Sequence, residues 1–189
     1  MQSILFLTSA GMLLISAFIV FRRIVSKDYL EKGHLTRFSS FLELLIFALY
    51  MSFPYLFLPP QWPWFWEFHG TSSYYLQILG FVLVLLGLLL AFGTMFWFGI
   101  RRAFGVEVDG LITHGPYRFS RNPQMLGAYL MVIGIAVQWL SWYAFGWVLI
   151  FAVIGHMMIL TEEQHLRASF IELYERYCEQ VPRYLGLFS

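Results

Sequence analysis

Long apolar stretches separated by short polar segments dominate the chain. Five of them approach or exceed the roughly 20 residues that a helix needs to cross a bilayer. Their ranges are 4–21, 38–58, 74–100, 124–142 and 144–160. Pro54 is expected to kink or end the second stretch, and the third, the longest, is expected to tilt or protrude. The pattern predicts an all-α polytopic membrane protein with about five transmembrane helices.

Small residues recur at helical spacing in the third and fourth stretches. Gly80, Gly87 and Ala91 lie in the third, and Gly127 and Gly134 lie in the fourth. Small side chains let membrane helices approach closely, so these residues are expected to face neighbouring helices. The fourth and fifth stretches are joined by a turn too short to hold another element, which predicts a tight helical hairpin.

Residues 162–178 show a different pattern, with apolar side chains on one face of a helix and charged ones on the other. The apolar positions are Leu166, Phe170, Leu173, Tyr174 and Tyr177. We therefore expect an amphipathic C-terminal helix that lies along the membrane surface or beneath the bundle. Pro182 is expected to stop it.

The placement of charge predicts the topology. Charged residues make up only 12% of the chain, and all twelve Lys and Arg residues fall within 22–37, 101–121 and 167–183. Basic residues favour the cytoplasmic side, so we expect the N-terminus outside and the C-terminus in the cytoplasm. The segment 59–66, rich in proline and tryptophan, is then an outer loop at headgroup depth. In a bacterium the membrane would be the inner one.

Two polar segments flank the predicted hairpin, 109–127 and 161–183. Both ends of a hairpin return to one face, so the two segments could form one pocket for a small zwitterion. The carboxylate of Glu162 can accept from an ammonium group, and Asn122 can donate and accept. An arginine such as Arg121 can hold a carboxylate. With a single cysteine, Cys178, no zinc-type metal site is expected, and nothing suggests nucleic acid.

At this point the sequence resembles a family. The run 115–127, GPYRFSRNPQMLG, resembles the Gly-x-Tyr, Arg-His-Pro-x-Tyr and Gly signature of the isoprenylcysteine carboxyl methyltransferase and phospholipid methyltransferase superfamily. The tail from Glu162-Glu163 to Val181-Pro182 resembles the Glu-Glu to Val-Pro tail of that superfamily. The resemblance implies a membrane enzyme that transfers a methyl group from S-adenosyl-L-methionine to a lipophilic small molecule or lipid, on a carboxylate, amine or thiol.

We expect a single membrane domain, 1–189, with the first three spans in 1–100 and the cofactor-binding part in 101–183. The resemblance also implies which residues form the site. The implied cofactor contacts are Arg102, Leu111, Ile112, Tyr117, Arg121, Asn122, Pro123, Met125 and Glu162. For the acceptor, the resemblance points to the position of Met158, and the location of His156 within a span makes it a second candidate. Asn122 stands where the family commonly has histidine, and Met125 where it has tyrosine. Met158 replaces an arginine, which argues against a prenylcysteine substrate.

Structural interpretations stand beside several of these assignments. Arg121 is equally compatible with a topology anchor, and Pro123 with the first residue of a helix capped by Asn122. Glu163 is expected to be an ordinary acid of the first turn of the tail helix, and His165 to lie on a solvated face. Like His156, Glu43 is an intramembrane ionisable residue, which suggests either an acceptor-site role or bonding between helices.

The reaction implied by the resemblance is direct displacement at a sulfonium methyl group. Such a reaction needs alignment more than proton transfer, so the sequence names no catalytic residue. Two other functions stay open. One is an NADPH-dependent reductase like the membrane sterol reductases, which the Glu162-Glu163 pair argues against. The other is a non-enzymatic membrane protein with a decayed pocket, which the changes at Asn122 and Met125 leave open.

Overall fold

The computed structural model describes residues 1–57, 72–99 and 110–186, and these residues form helices with no strand among them. The α-helices are α1 Gln2–Ile19, α2 Ser26–Lys32, α3 Arg37–Ser52, α4 Tyr74–Phe98, α5 Pro123–Gln138, α6 Trp142–Ser169 and α7 Ile171–Gln180. The predicted all-α class is confirmed. The predicted outer loop 59–66 and Arg102 lie outside the described residues.

Four helical stretches of the described part are long and apolar enough to cross a membrane. They are Gln2–Lys32, Arg37–Leu56, Tyr74–Trp97 and Trp142–Ser169. Helix α5 is apolar but only 16 residues long, so it is shorter than a typical span. Pro54 ends the second span as predicted, because α3 gives way to a 3-10 turn at Phe53–Leu56.

The first helix runs further than the sequence pattern suggested. Residues 22–37 were expected to form a polar loop, but α1 continues through a π-helical segment, Val20–Val25, into α2 and ends only at Lys32. No proline or glycine interrupts this stretch, and arginine is a good helix former. Gly33 ends the helix because its φ of 71° lies in the left-handed region that glycine adopts readily.

Helices α4 and α5 pack against each other through the predicted small residues. A Cβ atom added to Gly80 would lie 2.4 Å from the carbonyl oxygen of Gly134. One added to Gly87 would lie 2.5 Å from the carbonyl oxygen of Gly127, whose own Cβ would meet the backbone nitrogen of Ala91 at 2.6 Å. Only glycine permits such close backbone approach, so the expected role of these residues is confirmed.

The predicted hairpin is also present, since three residues separate α5 from α6. The hydroxyl of Ser141 caps α6 by accepting from the backbone N–H of Ala144 at 3.0 Å. Helix α6 does not stop at residue 160, however, but runs to Ser169, and the separate tail helix begins only at Ile171. No proline or glycine lies between Thr161 and Ser169, so nothing breaks the helix there.

Helix α6 is fixed to α3 by a buried aromatic pair. The rings of Tyr50 and Trp147 stack with centroids 5.0 Å apart. The Tyr50 hydroxyl donates to the Trp147 carbonyl oxygen, and the Trp147 indole N–H donates to the Tyr50 carbonyl oxygen, each at 3.2 Å. The buried rings satisfy their polar atoms in this way, and the N-terminal half of α6 is held against the C-terminal half of α3.

Candidate active site

A cavity of about 250 Å³ lies at one end of the bundle. Five helical segments surround it: the π-helical segment with α2, then α3, α4, α5 and α6. The described residues that line it are Val25, Tyr29, Leu35, Ser40, Glu43, Leu44, Phe47, Met95, Gln124, Met125, Met158 and Glu162. Apolar side chains form most of this wall, which is typical of a small-molecule pocket with a few polar groups.

The polar groups of the cavity are acidic or neutral. Glu43 enters from α3 and Glu162 from α6, while Gln124 at the start of α5 adds a neutral amide. None of the described lining residues is basic. Within the described part of the chain, neither carboxylate makes a hydrogen bond or an ion pair. The cavity therefore places two carboxyl groups in apolar surroundings, an arrangement that suits a ligand with a positive charge.

Three of the predicted site residues meet in this cavity, namely Met125, Met158 and Glu162. Met158 and Glu162 lie one turn apart on α6, so they share a face of that helix. Met125 comes from the first turn of α5, where its methyl group contacts the backbone of Gly155. The polar segments 109–127 and 161–183 each contribute a residue to the lining of this cavity, Met125 from the first and Glu162 from the second.

Tyr117 lies close to the same cavity. Burial raises the pKa of its phenol, and the nearby carboxylate of Glu162 raises it further. Tyr177 of α7 holds this segment by donating its hydroxyl proton to the Tyr117 carbonyl oxygen at 2.7 Å. The Tyr117 ring is 6.4 Å from that of Trp97 at the end of α4. The phenol is thus placed between α4, α6 and α7.

Leu111 and Ile112 are partly buried but are not among the cavity-lining residues. Leu111 packs against a small cluster formed by Tyr174, Tyr177 and Val181. The chain beside these residues, 100–109, lies outside the described part. Their predicted contact with a cofactor stays a prediction.

A second polar cluster lies on another face of α6. Glu163 accepts two hydrogen bonds from Arg183, Nε to Oε1 at 3.0 Å and Nη2 to Oε2 at 2.8 Å. The Arg121 Nε is 3.6 Å from Glu163 Oε1, and these two side chains are 1% and 4% exposed. The expectation that Glu163 is an ordinary first-turn acid is wrong, because α6 continues and carries it into a buried ion-pair cluster.

Arg121 and Asn122, both predicted to contact the cofactor, belong to this cluster and do not line the cavity. The Asn122 Nδ2 donates to the Arg183 carbonyl oxygen at 3.2 Å, and the Arg121 backbone N–H donates to the Pro182 carbonyl oxygen at 2.9 Å. Ser120 also donates to the Arg183 carbonyl oxygen. The two polar segments are thereby joined along their backbones.

Pro123 is the first residue of α5, and Asn122 occupies the preceding cap position, as predicted. The Asn122 side chain nevertheless makes no capping hydrogen bond to the helix. Its amide instead donates to the C-terminal segment. The start of α5 is therefore fixed by a tertiary contact and not by the local motif.

The two histidines of α6 have different partners. His156 Nδ1 lies 2.9 Å from the Tyr184 hydroxyl, which agrees with hydrogen bonding between segments. His165 was expected on a solvated face, but it is buried and stacks on Tyr29 with ring centroids 4.3 Å apart. The longer α6 again explains the difference, because it brings His165 against α2.

The cavity is also lined by residues for which the sequence suggested no role, Tyr29, Ser40 and Gln124. Gln124 lies within the motif run 115–127, whereas the only sequence signal for Tyr29 and Ser40 was their position near the predicted cytoplasmic ends of apolar stretches. Within the described ranges, no group of three or more His, Cys, Asp and Glu residues comes together in a way that could hold a metal ion.

The fold and the site define a polytopic helical membrane protein with an acidic cavity at one end of its bundle. The family model for phospholipid methyltransferase matches residues 75–172, just over half of the chain. The chain belongs to the phospholipid methyltransferase family, a family of membrane methyltransferases. No curated protein and no solved structure matches it. Met125, Met158 and Glu162 lie inside the matched range, whereas Tyr29 and Glu43 lie outside it.

Proposed function

We propose that this protein transfers a methyl group from S-adenosyl-L-methionine to a lipophilic acceptor that carries a carboxylate, amine or thiol. One observation carries the proposal: Met125, Met158 and Glu162, from two separate segments of the family-matched range, meet in one cavity. We place this cavity at the cytoplasmic end of the bundle, because the basic residues of the chain cluster near that end.

The chemistry of the cavity fits the cofactor. S-adenosyl-L-methionine carries an ammonium and a sulfonium cation, and the cavity offers the unpaired carboxylate of Glu162 to the ammonium group. Apolar side chains such as Met125 can cover the adenine. The cavity volume of about 250 Å³ is close to the lower end of ligand pockets, roughly 300 Å³.

The other implied cofactor contacts, except Arg121, are part of the proposal. Tyr117, beside Glu162, can cover the base or ribose, and Asn122 and Pro123 can shape the start of α5. Leu111 and Ile112 are proposed to enclose the adenine. Arg102, which lies outside the described residues, is proposed to hold the carboxylate of the cofactor. Arg121 is left out of the proposal, because it pairs with Glu163 away from the cavity.

The bound cofactor supplies an electrophilic methyl group with a good leaving group. The chain itself has to hold the acceptor in line with that methyl group and exclude water, which together can supply most of the acceleration. The apolar wall of the cavity, including Phe47 and Met95, suits both tasks. The bilayer would deliver an amphiphilic acceptor to this end of the bundle.

The experiment that tests this function is calorimetric titration of the purified protein in nanodiscs. S-adenosyl-L-methionine, S-adenosyl-L-homocysteine and NADPH are titrated separately. We expect micromolar binding of both adenosyl compounds, about −8 kcal/mol, and no binding of NADPH. Binding of NADPH alone would favour a reductase, and binding of none of the three would favour a non-enzymatic protein.

A further inference from the structure

A second polar cavity lies on the side of α6 that faces away from Glu162. It has a volume of about 260 Å³. Successive residues point about 100° apart around a helix, so Gln164 and Arg167 point roughly 140–160° away from Glu162. We refer to this cavity as the arginine cleft. The described residues that line it, none of which lines the cavity of Glu162, are Arg22, Leu160, Glu163, Gln164 and Arg167.

The arginine cleft is built on two helices that are held together. Its first wall is the π-helical segment Val20–Val25 of the first span, and π-helical segments often occur at functional sites. The buried hydroxyl of Thr161 on α6 donates to the Phe21 carbonyl oxygen at 3.3 Å, beside the cleft. The next residue, Arg22, donates from Nη1 to Gln164 Oε1 at 3.5 Å. The guanidinium group of Arg22 is therefore oriented by a partner that carries no charge.

The charges around the cleft leave it positive. Among the described residues, neither Arg22 nor Arg167 has an ion-pair partner. Glu163 lies one turn before Arg167, but its carboxylate is bound by Arg183 and lies 3.6 Å from Arg121 Nε. Two other arginines thus offset the single acid of the cleft. Guanidinium groups bind phosphate groups well, often with two hydrogen bonds each, so the cleft suits a phosphate.

Apolar surface leads from the cleft along the two helices and indicates where this phosphate comes from. Leu160 lines the cleft itself. Phe18 and Ile19 lie one turn before Arg22, Val153 lies two turns before Leu160, and all three are exposed. Residues at these spacings share a helix face. A free phosphate ion would leave this surface unused, whereas a phospholipid can place its phosphate in the cleft and its acyl chains along α1 and α6.

We propose that the arginine cleft binds the phosphate group of an anionic phospholipid, which bridges the first span and α6. A zwitterionic phospholipid is disfavoured, because the cation of its headgroup would lie close to two arginines and be repelled. Anionic lipids are also the ones that basic residues attract at the cytoplasmic surface, the side on which we place this end of the bundle. The site is separate from the cavity of Glu162 and does not depend on the proposed methyl transfer.

The experiment compares wild type, the double variant Arg22→Gln/Arg167→Gln and the control Arg23→Gln/Arg176→Gln in detergent micelles. Arg23 and Arg176 are exposed and do not line the cleft, so the control removes the same number of charges elsewhere. The probes are phosphatidylglycerol and phosphatidylcholine with the same dioctanoyl chains, and inorganic phosphate is the competitor. Native mass spectrometry counts the bound lipids and gives their affinities.

We expect wild type and the control to bind phosphatidylglycerol roughly tenfold more tightly than phosphatidylcholine, or better, as two arginines near an anionic headgroup should provide. We expect Arg22→Gln/Arg167→Gln to bind phosphatidylglycerol roughly 10- to 100-fold more weakly, the range for lost charge-assisted hydrogen bonds. Equal binding of the two lipids by wild type, or an equal loss of affinity in both double variants, overturns the proposal. Displacement of bound phosphatidylglycerol by an equal concentration of inorganic phosphate would assign the cleft to the free ion and also overturns it.

A single variant keeps the test decisive if Arg22→Gln/Arg167→Gln does not fold. Arg167 is exposed, so Arg167→Gln leaves the contacts between the first span and α6 in place. We expect it to weaken binding of phosphatidylglycerol roughly tenfold, and unchanged binding counts against the proposal. All measurements are made without S-adenosyl-L-methionine, so the result is the same whether or not the proposed methyl transfer is correct.

Discussion

Glu162 and Glu163 are consecutive residues of one helix with opposite surroundings. Glu163 is 4% exposed and lies between Arg121 and Arg183. Glu162 faces a cavity and has no ion-pair partner in the described residues. Successive residues point about 100° apart around an α-helix, so a single turn of α6 holds one acid that stabilises the fold and one that is available to a ligand.

Burial and ion pairing together distinguish an acid that stabilises the fold from an acid that can bind a ligand. A buried carboxylate that is paired on two sides keeps two segments of chain together, here the run before α5 and the run after α7. A carboxylate that lines a cavity without a partner contributes nothing to that assembly. The comparison predicts that substitution at the two positions should affect different measurements.

The largest expected effect is on stability, from Glu163→Gln. This change removes the carboxylate of Glu163 from the buried Arg121 and the partly buried Arg183, which should lower the free energy of unfolding by about 3–5 kcal/mol. Denaturant titration in detergent micelles measures it. The control is Glu175→Gln on the exposed face of α7, for which we expect a change within about 0.5 kcal/mol. Similar small changes for both variants would contradict a structural role of the cluster.

The next largest effect is on binding, from Glu162→Gln. Loss of the charge should weaken binding of S-adenosyl-L-homocysteine roughly 10- to 100-fold, as for a lost charge-assisted hydrogen bond. The free energy of unfolding should not fall, because no ion pair within the described residues is broken. Calorimetry and denaturant titration on the same preparation separate the two quantities. Retained affinity would move the cofactor site away from this cavity.

The pattern of apolar residues was sufficient to predict the helical class, the hairpin and the glycine contacts between α4 and α5. These features depend on local composition and on spacing along one helix. The ends of α1 and α6 were predicted less well. Arg22 suggested a loop and Glu163 the first turn of a separate tail helix, but a helix continues through charge until proline, glycine or a tertiary contact stops it.

For the site, three residues to which the motifs pointed, Met125, Met158 and Glu162, line one cavity. It could not reveal that Arg121 pairs with Glu163, because a motif does not record which side of a helix each residue occupies. The contribution of α2 and α3 was also hidden. The sequence marked Glu43 as an intramembrane ionisable residue, but Tyr29 and Glu43 reach the cavity through packing between distant segments, and a single sequence does not show which segments pack together.

A smaller effect is expected from Tyr177→Phe, which tests the connection between α7 and the cavity that Glu162 lines. Its hydroxyl donates to the Tyr117 carbonyl oxygen at 2.7 Å, and Tyr117 lies beside Glu162. Losing this hydrogen bond should lower the free energy of unfolding by about 1 kcal/mol and weaken binding of S-adenosyl-L-homocysteine by a few-fold. The control is Tyr75→Phe, which is 82% exposed. An unchanged affinity would show that the position of Tyr117 does not matter to the cavity.

The smallest effect is expected from Asn122→His, which introduces the residue that the family commonly has at this position. The Asn122 amide donates to the Arg183 carbonyl oxygen at 3.2 Å, and an imidazole N–H can donate in its place. We expect the free energy of unfolding to change by less than about 0.5 kcal/mol and the affinity for S-adenosyl-L-homocysteine to change little. Asn122→Leu, which has no donor, should cost about 1 kcal/mol. If Asn122→His abolished binding of S-adenosyl-L-homocysteine without changing stability, Asn122 itself would have to contact the ligand. Asn122 would then belong to the ligand cavity and not only to the structural cluster around Glu163.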